Sequence, residues 1–392
     1  MTQDSNKAVQ SGQPLDGLKV IDMGQVYLGP YCGLLSALMG ADVIKIESPT
    51  GDPNRFQTPI GENPASLMLN SNKKSVTLDL QDETDRAAFL DMVADADVLI
   101  ENYRPGTMER LGLGFDDVLS KLNPKLVYGS GKGYAADSEC ANAPAMDFPI
   151  QAYTGLMSVT GFADGSPVKS GAAITDFLTG VHLFAGVLAA LLEREKSGMG
   201  QKVEVAMEDA AHHALASNIS SYIINPDTFV ERAGNSQGVL EITPYDIFEA
   251  SDGAVSIMCL VDRHWVSMAK AMGAPHLATD PRYAGHVERT KRRAEVDAIV
   301  TAWTSTQTRA EVFAALSKAN VPSAPVRSIG EIARDPDMVK RGMIVEQPHP
   351  GGGTVPVPAS PFQFSRHGRI EMRRAPTAGE HTNEVLGRAP KE

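Results

Sequence analysis

Cysteine, positive charge and long apolar runs are all scarce in this sequence, and each shortage excludes a class of protein. The 392 residues contain three cysteines, Cys32, Cys140 and Cys259, and none has a CxxC spacing. This distribution excludes a disulfide scaffold and a CxxC metal site, and it fits a reducing compartment. Lys and Arg number 36 against 48 Asp and Glu, which gives a formal net charge of −12. A broad surface for nucleic acid or for anionic membranes is therefore not expected.

No stretch of the sequence has the pattern of a membrane anchor. The longest apolar stretch, residues 177–192, contains His182 and leads into the charged segment 193–196. It is shorter than the roughly 20 residues that a bilayer-spanning helix needs, so we expect a buried core helix. Residues 1–14 are polar and lack the apolar segment of a signal peptide, so we expect a disordered tail there. Together these features predict a cytoplasmic protein.

Familiar cofactor, hydrolase and metal motifs are absent as well. The turn after the first predicted strand, residues 23–30, has no GxGxxG, and the GxSxG match at 234–238 does not follow a predicted strand as a serine-hydrolase elbow would. The GSGKG segment at 129–133 lacks the spacing of a Walker loop and the helix that should follow it. His212 and His213 have neither HExxH spacing nor neighbouring cysteines, which favours a surface or helix-packing role over a metal site. The sequence thus predicts no metal.

Strand and helix patterns alternate over the first 135 residues. Strands are predicted at 18–22, 41–47, 75–80, 97–101 and 126–130. Such alternation predicts a mostly parallel, doubly wound sheet, in which ligands bind beyond the carboxyl ends of the strands. The loops expected at those ends are 24–30, 47–55, 102–106 and 131–134.

The pattern changes in the second half of the chain. Residues 177–222 are predicted to be strongly helical, with a break at 197–202. Residues 244–260 predict a strand pair with its turn at 251–253, followed by helices near Trp265 and at 294–303. We therefore expect a second, smaller domain there.

The segment 170–201 is the most informative part of the chain, because a single carboxylate, Asp176, opens its long apolar helix. Asp at a helix start is commonly an N-cap, and spacing alone favours that interpretation. A carboxylate that faces an apolar, water-poor cavity can also attack a thioester. Its acyl product would be a mixed anhydride, which survives only where water is excluded.

Several long motifs, in one order, make the sequence resemble the class III CoA-transferase family. This family includes formyl-CoA transferase, carnitine CoA-transferase and, as divergent relatives, the α-methylacyl-CoA racemases. The motifs are PLDGLKVIDMGQVYLGP, GADVIKIESPTGDPNR, LNSNKKSVTLDL, DVLIENYRPGTMERLG, LNPKLVYGSGKGY and the block from GAAITD to EREKSGMGQKVEVAM. The resemblance covers nearly the whole chain and implies that Asp176 is the family's nucleophile.

The resemblance implies a ping-pong CoA-transferase. Asp176 would attack the donor thioester to give an aspartyl anhydride, and the CoA thiolate would return to give an aspartyl-CoA thioester. The acceptor carboxylate would then displace the enzyme from this thioester and leave as the new acyl-CoA. Each step passes through an oxyanion that needs backbone N–H donors. No metal and no prosthetic group is implied, because coenzyme A is itself the transferred substrate.

The resemblance also implies a CoA site. The positions that match it are Val26, Tyr27, Leu28, Leu78, Asn102, Tyr103, Arg104 and Arg110. Arg110 suits a phosphate, since guanidinium pairs with phosphate in bidentate fashion. The family often has a basic residue where this chain has Ser48, and we expect Arg55 or Arg104 to supply that charge. Solvated surface arginines are the alternative.

Two further positions bear on the type of reaction. Asp147 falls on an acidic family position near the nucleophile, whereas racemase relatives have Gly-His-Asp there. Met146 precedes Asp147 in this chain and cannot move a proton, which disfavours racemisation. The glycine-rich loop of many family transferases corresponds to residues 232–240, which are poorer in glycine. That difference disfavours an oxalate or formyl substrate.

The family's fold implies a Rossmann-like large α/β domain built from both chain ends, residues 15–222 and 326–392, with a small α+β domain at 223–325 inserted between them. It also implies two subunits linked like rings in an obligate homodimer. The expected partners are an acyl-CoA donor, a small carboxylic acid acceptor and a second copy of the chain, with no nucleic acid and no membrane. A racemase-like isomerase and a non-catalytic CoA-binding protein remain as alternatives.

Overall fold

The computed structural model describes residues 12–55, 62–236, 242–349 and 352–388, and most of the expected tail at 1–14 lies outside them. The chain forms two compact units. One takes its described residues from Met1–Ile150, Ala172–His213 and Ala333–Glu392, and the other from Gln151–Gly171 and Ala214–Ile332. These limits are not the domain boundaries expected after residues 222 and 325, which stay a prediction.

The first unit contains a six-stranded sheet in the order β3-β2-β1-β4-β5-β6. Every neighbouring pair in it is parallel. Its strands are β1 Lys19–Asp22, β2 Asp42–Glu47, β3 Lys74–Thr77, β4 Val98–Glu101, β5 Val127–Lys132 and β6 Lys202–Ala206. The predicted parallel α/β sheet is confirmed. The prediction of helix up to residue 222 is wrong at β6, because the short alternating segment KVEVA pairs with β5 as an edge strand.

The remaining strands are β7 Tyr245–Ala250, β8 Gly253–Met258, β9 Ser323–Pro325, β10 Ile344–Pro348 and β11 Thr354–Pro358. The helices are α1 Leu28–Ala37, α2 Pro64–Asn70, α3 Glu83–Ala94, α4 Thr107–Arg110, α5 Ser120–Leu122, α6 Asp147–Tyr153, α7 Ile174–Ser197, α8 Met207–Ala214, α9 Ala216–Ile224, α10 Asp262–Ala271, α11 His286–Lys291, α12 Arg293–Thr304, α13 Arg309–Lys318, α14 Ile329–Ala333, α15 Pro336–Lys340 and α16 Thr382–Val385. A 3₁₀ turn at Pro53–Arg55 follows β2.

Helices cover both faces of the parallel sheet. Successive side chains of a strand point to opposite faces, and β4 shows the result. Val98 and Ile100 belong to the core under α1 and α7, whereas Leu99 belongs to the core under α3 with Phe89. Burial of strands on both faces is the usual condition of parallel sheets.

Helix α7 is the longest helix described, and it packs against β5, β6 and α1. Among the described helices it is the one whose length and composition would allow it to cross a membrane, and half of that stretch is buried inside the protein. Its residues Leu183, Phe184 and Val187 belong to the core. The predicted core helix is confirmed, and it extends beyond the apolar stretch at 177–192. It ends at Gly198, which adopts a left-handed conformation with φ of 72°.

The second unit holds a three-stranded antiparallel sheet in the order β7-β8-β9. Helices α12 and α13 pack on it and α10 packs against α13, around a core that includes Val255, Trp265 and Val300. The predicted strand pair, its turn and the two following helices are confirmed. In the first unit, β10 and β11 form an antiparallel pair.

Candidate active site

The expected site loops follow the carboxyl ends of three neighbouring strands. Residues 24–30, called the first loop here, connect β1 to α1 and include the first turn of that helix. The segments 48–55 and 102–106 follow β2 and β4, the two neighbours of β1 in the sheet. Because the strands are parallel, all three segments lie at one edge of the sheet.

The first loop has an unusual backbone that side chains from the other two segments hold. Val26 adopts a positive φ of 65°, which is rare for a β-branched residue and typical of strained functional sites. The carboxamide of Asn102 binds both backbone polar groups of Gln25. Its oxygen accepts from the backbone N–H at 2.7 Å, and its nitrogen donates to the backbone carbonyl at 3.0 Å. Asp52 accepts from the Val26 N–H at 3.3 Å, and Asn54 donates to the Val26 carbonyl at 3.2 Å.

Two glycines let this loop fold tightly onto the start of α1. A Cβ atom on Gly24 would lie 2.6 Å from the Cα of Gly29, so neither position has room for a side chain. Tyr27 is the N-cap of α1 and makes no capping bond with its side chain. The first N–H groups of a helix have no partner within the helix. One of them, that of Leu28, is hydrogen-bonded to Asp176.

Asp176 is buried at the beginning of α7. The residue as a whole is 9% exposed. The helix begins after Ala173, which is its N-cap, so Asp176 is the third helical residue and the N-cap interpretation is wrong. The pKa of Asp176 is raised to about 7, mainly by burial and also by the charge of Asp147, while the Leu28 backbone hydrogen bond acts to lower it.

Asp147, the first residue of α6, lies beside the start of α7. Its Oδ1 accepts hydrogen bonds from the backbone N–H of Thr175 at 2.9 Å and from the Thr175 hydroxyl at 2.7 Å. The structure thus brings Asp147 and Asp176 together, with Thr175 between them in the chain. A carboxylate at this place also interacts favourably with the helix dipole of α7.

Aromatic rings surround the residue that follows Asp176. The ring of Phe177 meets Tyr31 edge-on at a centroid distance of 4.7 Å and Tyr27 at 5.7 Å. The approach of α1 to α7 is close, because a Cβ on Gly180 would lie 2.9 Å from the Leu28 carbonyl oxygen. The rings of Phe177, Tyr31 and Tyr27, called the aromatic wall here, thus cluster at the residue that follows the nucleophile candidate.

The segment after β4 presents two arginines at the surface. Arg104 and Arg110 are exposed, and Arg110 donates to the Thr107 hydroxyl at 2.8 Å. Arg104 also lines a cavity of about 200 Å³. Tyr103 is half-buried, and burial raises its pKa to about 12. Both arginines are thus open to an anionic ligand.

Arg55 and Leu78 lie in the interior. The Arg55 guanidinium binds both carboxylate oxygens of Glu47 at 2.7 Å and donates to Glu62 at 2.8 Å. It therefore does not occupy an open position next to the exposed Ser48. Leu78 is 1% exposed and belongs to the core under α3. The structure does not bring these two side chains to the surface with Arg104 and Arg110.

Sequence reasoning missed several residues that shape the first loop. Asp52 and Asn54 hold Val26, and Lys45 donates to the Gly24 carbonyl and pairs with Asp52 at 3.3 Å. The lysine between isoleucines in the strand VIKIE was the available signal for such a role. Polar side chains in the middle of buried strands need internal partners.

Two other features of the sequence concern a metal and a loop. Across residues 12–55, 62–236, 242–349 and 352–388, no group of three His, Cys, Asp or Glu residues could hold a metal ion. The rings of His182 and His213 lie with centroids 6.1 Å apart. In the segment that corresponds to the family's glycine-rich loop, residues 232–236 are described, with Gly234 at a φ of 64°, and 237–240 lie outside the described residues.

Comparison with known proteins identifies the family. Residues 15–382 match the sequence model of CoA-transferase family III. The chain is 36% identical over 387 residues to a succinyl-CoA:mesaconate CoA-transferase of Haloarcula hispanica, with 96% of each chain covered. It is 34% identical over 388 residues to a formyl-CoA:oxalate CoA-transferase of Streptomyces avermitilis, with 95% of this chain and 94% of the relative covered. A CAIB/BAIF family protein from Brucella suis has a TM-score of 0.83 at 32% identity, with 96% of this chain and 99% of that chain covered. The resemblance inferred from the motifs is confirmed, and this chain is an enzyme that belongs to CoA-transferase family III.

Proposed function

We propose that the enzyme transfers CoA from an acyl-CoA donor to a carboxylic acid acceptor, with Asp176 as the nucleophile. The environment of Asp176 is the observation that carries this proposal. Asp176 is 9% exposed, its carboxyl group receives a backbone N–H from the start of α1, and the next residue, Phe177, packs against the ring of Tyr31. Burial with few hydrogen bonds suits a carboxylate nucleophile, because little hydration must be lost before attack.

The first half of the reaction forms a covalent adduct. A carboxylate oxygen of Asp176 attacks the thioester carbonyl, the C–S bond breaks, and CoA leaves as the thiolate with a mixed anhydride on the enzyme. The thiolate then attacks the side-chain carbonyl carbon of Asp176. The donor acid leaves as a carboxylate, and Asp176 becomes a CoA thioester.

The second half of the reaction reverses these steps with the acceptor. The acceptor carboxylate attacks the aspartyl thioester, which releases the thiolate and gives a second anhydride. The thiolate attacks the acceptor's carbonyl carbon, so the new acyl-CoA leaves and the Asp176 carboxylate is restored. Each attack passes through an oxyanion, which backbone N–H groups at the start of α1 are suited to stabilise.

The aromatic wall has a chemical purpose in this scheme. A mixed anhydride reacts readily with water, so an enzyme that carries one must keep water from it. Tyr27 and Tyr31 pack on Phe177, the residue that follows Asp176 in the chain. They would protect the anhydride until the thiolate returns.

Binding of CoA is assigned to the carboxyl edge of the sheet. The exposed Arg104 and Arg110 would bind phosphates, and the backbone of Val26, Tyr27 and Leu28 would meet the thioester arm. Asn102 and Tyr103 belong to the same segment as the arginines. Arg55 would act through the segment after β2, because its guanidinium is committed to Glu47.

A homodimer of linked rings is part of this proposal. Large apolar side chains are exposed within each unit, among them Leu192 at 69% on α7 and Ile224 at 72% on α9. Exposed apolar surface of this kind is typical of protein interfaces. A size-exclusion mass near twice 41.9 kDa is expected, and a mass near 41.9 kDa would contradict the dimer.

The proposed function is tested by incubating the enzyme with acyl-CoA donors and a panel of carboxylic acids. Formation of new acyl-CoA with equal release of the donor acid is expected. Loss of α-deuterium from a 2-methylacyl-CoA without CoA transfer would indicate a racemase-like isomerase. Binding of CoA without either reaction would indicate a non-catalytic CoA-binding protein.

A further inference from the structure

Two fully buried charges lie beneath the first loop, and the reaction scheme above does not use them. Asp22 ends β1 and Lys73 directly precedes β3, two strands away in the sheet. Their side chains are 0% exposed, and Lys73 Nζ lies 2.7 Å from Asp22 Oδ2. Removal of two charges from water is so costly that well-packed apolar residues often serve stability equally well. A need other than stability would explain why a charged pair is used here.

The pair is bonded to both ends of the first loop. Asp22 Oδ1 accepts the backbone N–H of Gly24 at 2.8 Å, and Lys73 Nζ donates to the carbonyl oxygen of Pro30 at 2.7 Å. Between these two anchors lie Val26, with its strained backbone, and Leu28, whose N–H reaches Asp176. The pair therefore fixes the distance between the ends of the segment that supplies a hydrogen bond to the nucleophile.

Helix α1 is shaped to make room for this pair. A Cβ on Gly33 would lie 2.5 Å from Asp22 Oδ2 and 3.1 Å from Lys73 Nζ. No side chain larger than hydrogen fits at that position without displacing the carboxylate. The glycine within the helix costs some stability compared with alanine, which indicates that the space for the pair matters.

We propose that the buried Asp22–Lys73 pair is a positioning device for CoA transfer, which holds the first loop so that the Leu28 N–H stays directed at Asp176. This inference rests on the proposed function. Neither residue touches the reacting atoms. The pair acts through Gly24 and Pro30, and its loss would let the strained loop relax.

Relaxation of the first loop would change the pKa of Asp176, and a pair that only stabilised the fold would not have this effect. The Leu28 hydrogen bond lowers the pKa of Asp176, so its loss would raise that pKa. Asp147 from α6 is the other group whose charge acts on Asp176, and its hydrogen bonds to Thr175 hold it at the start of α7. Removal of both charges together leaves the net charge of the site unchanged.

The test compares an apolar replacement of the pair with a control near the amino end of β4, away from the first loop. The double variant Asp22→Leu/Lys73→Met removes both charges. The control Arg194→Met removes the cation that pairs with Asp97 just before β4, at 2.9 Å. The melting temperature, kcat, KM for the acyl-CoA and the pH profile of kcat/KM are measured for each protein.

The proposal predicts that the double variant folds and keeps its KM within a few-fold. Its kcat falls about 10- to 100-fold, as small misplacements of catalytic groups do, and the acid limb of its profile moves to higher pH. The control keeps the kcat and the profile of the wild type. A folded double variant with wild-type kcat and an unmoved acid limb would overturn the proposal.

A second variant covers the case in which the double variant does not fold. Gly33→Ala keeps both charges but pushes a methyl group against Asp22, so it should lower kcat and shift the acid limb in the same direction. Wild-type behaviour of a folded Gly33→Ala would contradict the proposal. Failure of the proposed function is recognised separately, because the wild-type enzyme would then transfer no CoA at all.

Discussion

Asp147 Oδ1 accepts two hydrogen bonds from Thr175, one from its backbone N–H at 2.9 Å and one from its hydroxyl at 2.7 Å. Thr175 is the residue before Asp176. Asp147 is thereby fixed against the start of α7, where its charge raises the pKa of Asp176. The proposed nucleophile and Asp147 are thus electrostatically coupled.

Replacement of Asp147 by asparagine should make Asp176 more acidic. Asp147→Asn keeps an oxygen that can accept from Thr175 but removes the charge that raises the pKa of Asp176. The proposed nucleophile must be ionised to attack, so kcat/KM of the wild type should rise with pH up to about 7. In the variant this acid limb should move to lower pH. Thr175→Val, which removes the hydroxyl donor and no charge, should leave the limb in place, and an upward shift in Asp147→Asn would contradict the account.

Asp176 should destabilise the fold at neutral and higher pH. Its pKa in the folded protein is about 7, above the ordinary value of 3.8, so the fold favours the protonated form. Stability linked to this group is therefore present below pH 4 and is lost as pH rises towards 7. Asp176→Asn should raise the free energy of unfolding by roughly 1–3 kcal/mol at pH 8 and by little at pH 4.

Urea denaturation at the two pH values measures this difference. Asp209→Asn, at an exposed position on α8, is the control and should change stability little at either pH. Equal effects of Asp176→Asn on the free energy of unfolding at pH 4 and pH 8 would show that ionisation of the buried carboxyl does not destabilise the fold.

Substitution of the exposed arginines should weaken substrate binding, whereas substitution of the buried Arg55 should lower stability. Arg104→Gln and Arg110→Gln each remove an exposed guanidinium from the segment after β4. We expect KM for acyl-CoA to rise about 5- to 20-fold, because each loses a charge-assisted contact with phosphate. The melting temperature should not change. Arg334→Gln, at another exposed arginine, is the control and should leave KM unaltered.

Arg55→Ala should act on stability first. It leaves the carboxylate of Glu47 buried without its bidentate partner. Loss of one partner of a buried ion pair costs about 3–5 kcal/mol, so the melting temperature should fall clearly. A variant with wild-type stability and a raised KM would instead make Arg55 a direct phosphate contact.

The aromatic wall should protect the anhydride from water. Phe177→Ala opens space where the Phe177 ring now meets Tyr31, at the residue that follows Asp176. Hydrolysis of acyl-CoA should rise relative to CoA transfer, because water reaches the intermediate. Phe313→Ala, at an exposed position of the second unit, is the control. An unchanged ratio of hydrolysis to transfer in Phe177→Ala would contradict this role.

The sheet was largely predictable because its strands have a strong local pattern. Runs such as LKVID and ADVIKIE mark buried parallel strands between helices, and five of the six strands follow from them. The edge strand β6 was missed because it is short, half-exposed and enclosed by helical segments. Pattern alone does not reveal an edge strand of five residues.

The chemistry of the site was less accessible. Asp176 could be chosen over an N-cap only through the family resemblance, because its burial depends on α1 and α6, which are distant in the sequence. Arg55 was expected to supply a charge near Ser48, yet it forms a buried ion pair with Glu47 at the end of β2. Lys73 meets Asp22 across an intervening strand, and nothing local marks either residue as buried.

The most direct test of the account is mass spectrometry of the enzyme trapped during turnover. Wild-type enzyme is mixed with an acyl-CoA donor, quenched with hydroxylamine and digested, with Asp176→Asn treated in parallel. The account predicts a hydroxamate at Asp176 in the wild type, and neither adduct nor CoA transfer in the variant. Transfer by the wild type without modification of Asp176, or transfer by Asp176→Asn, would contradict it.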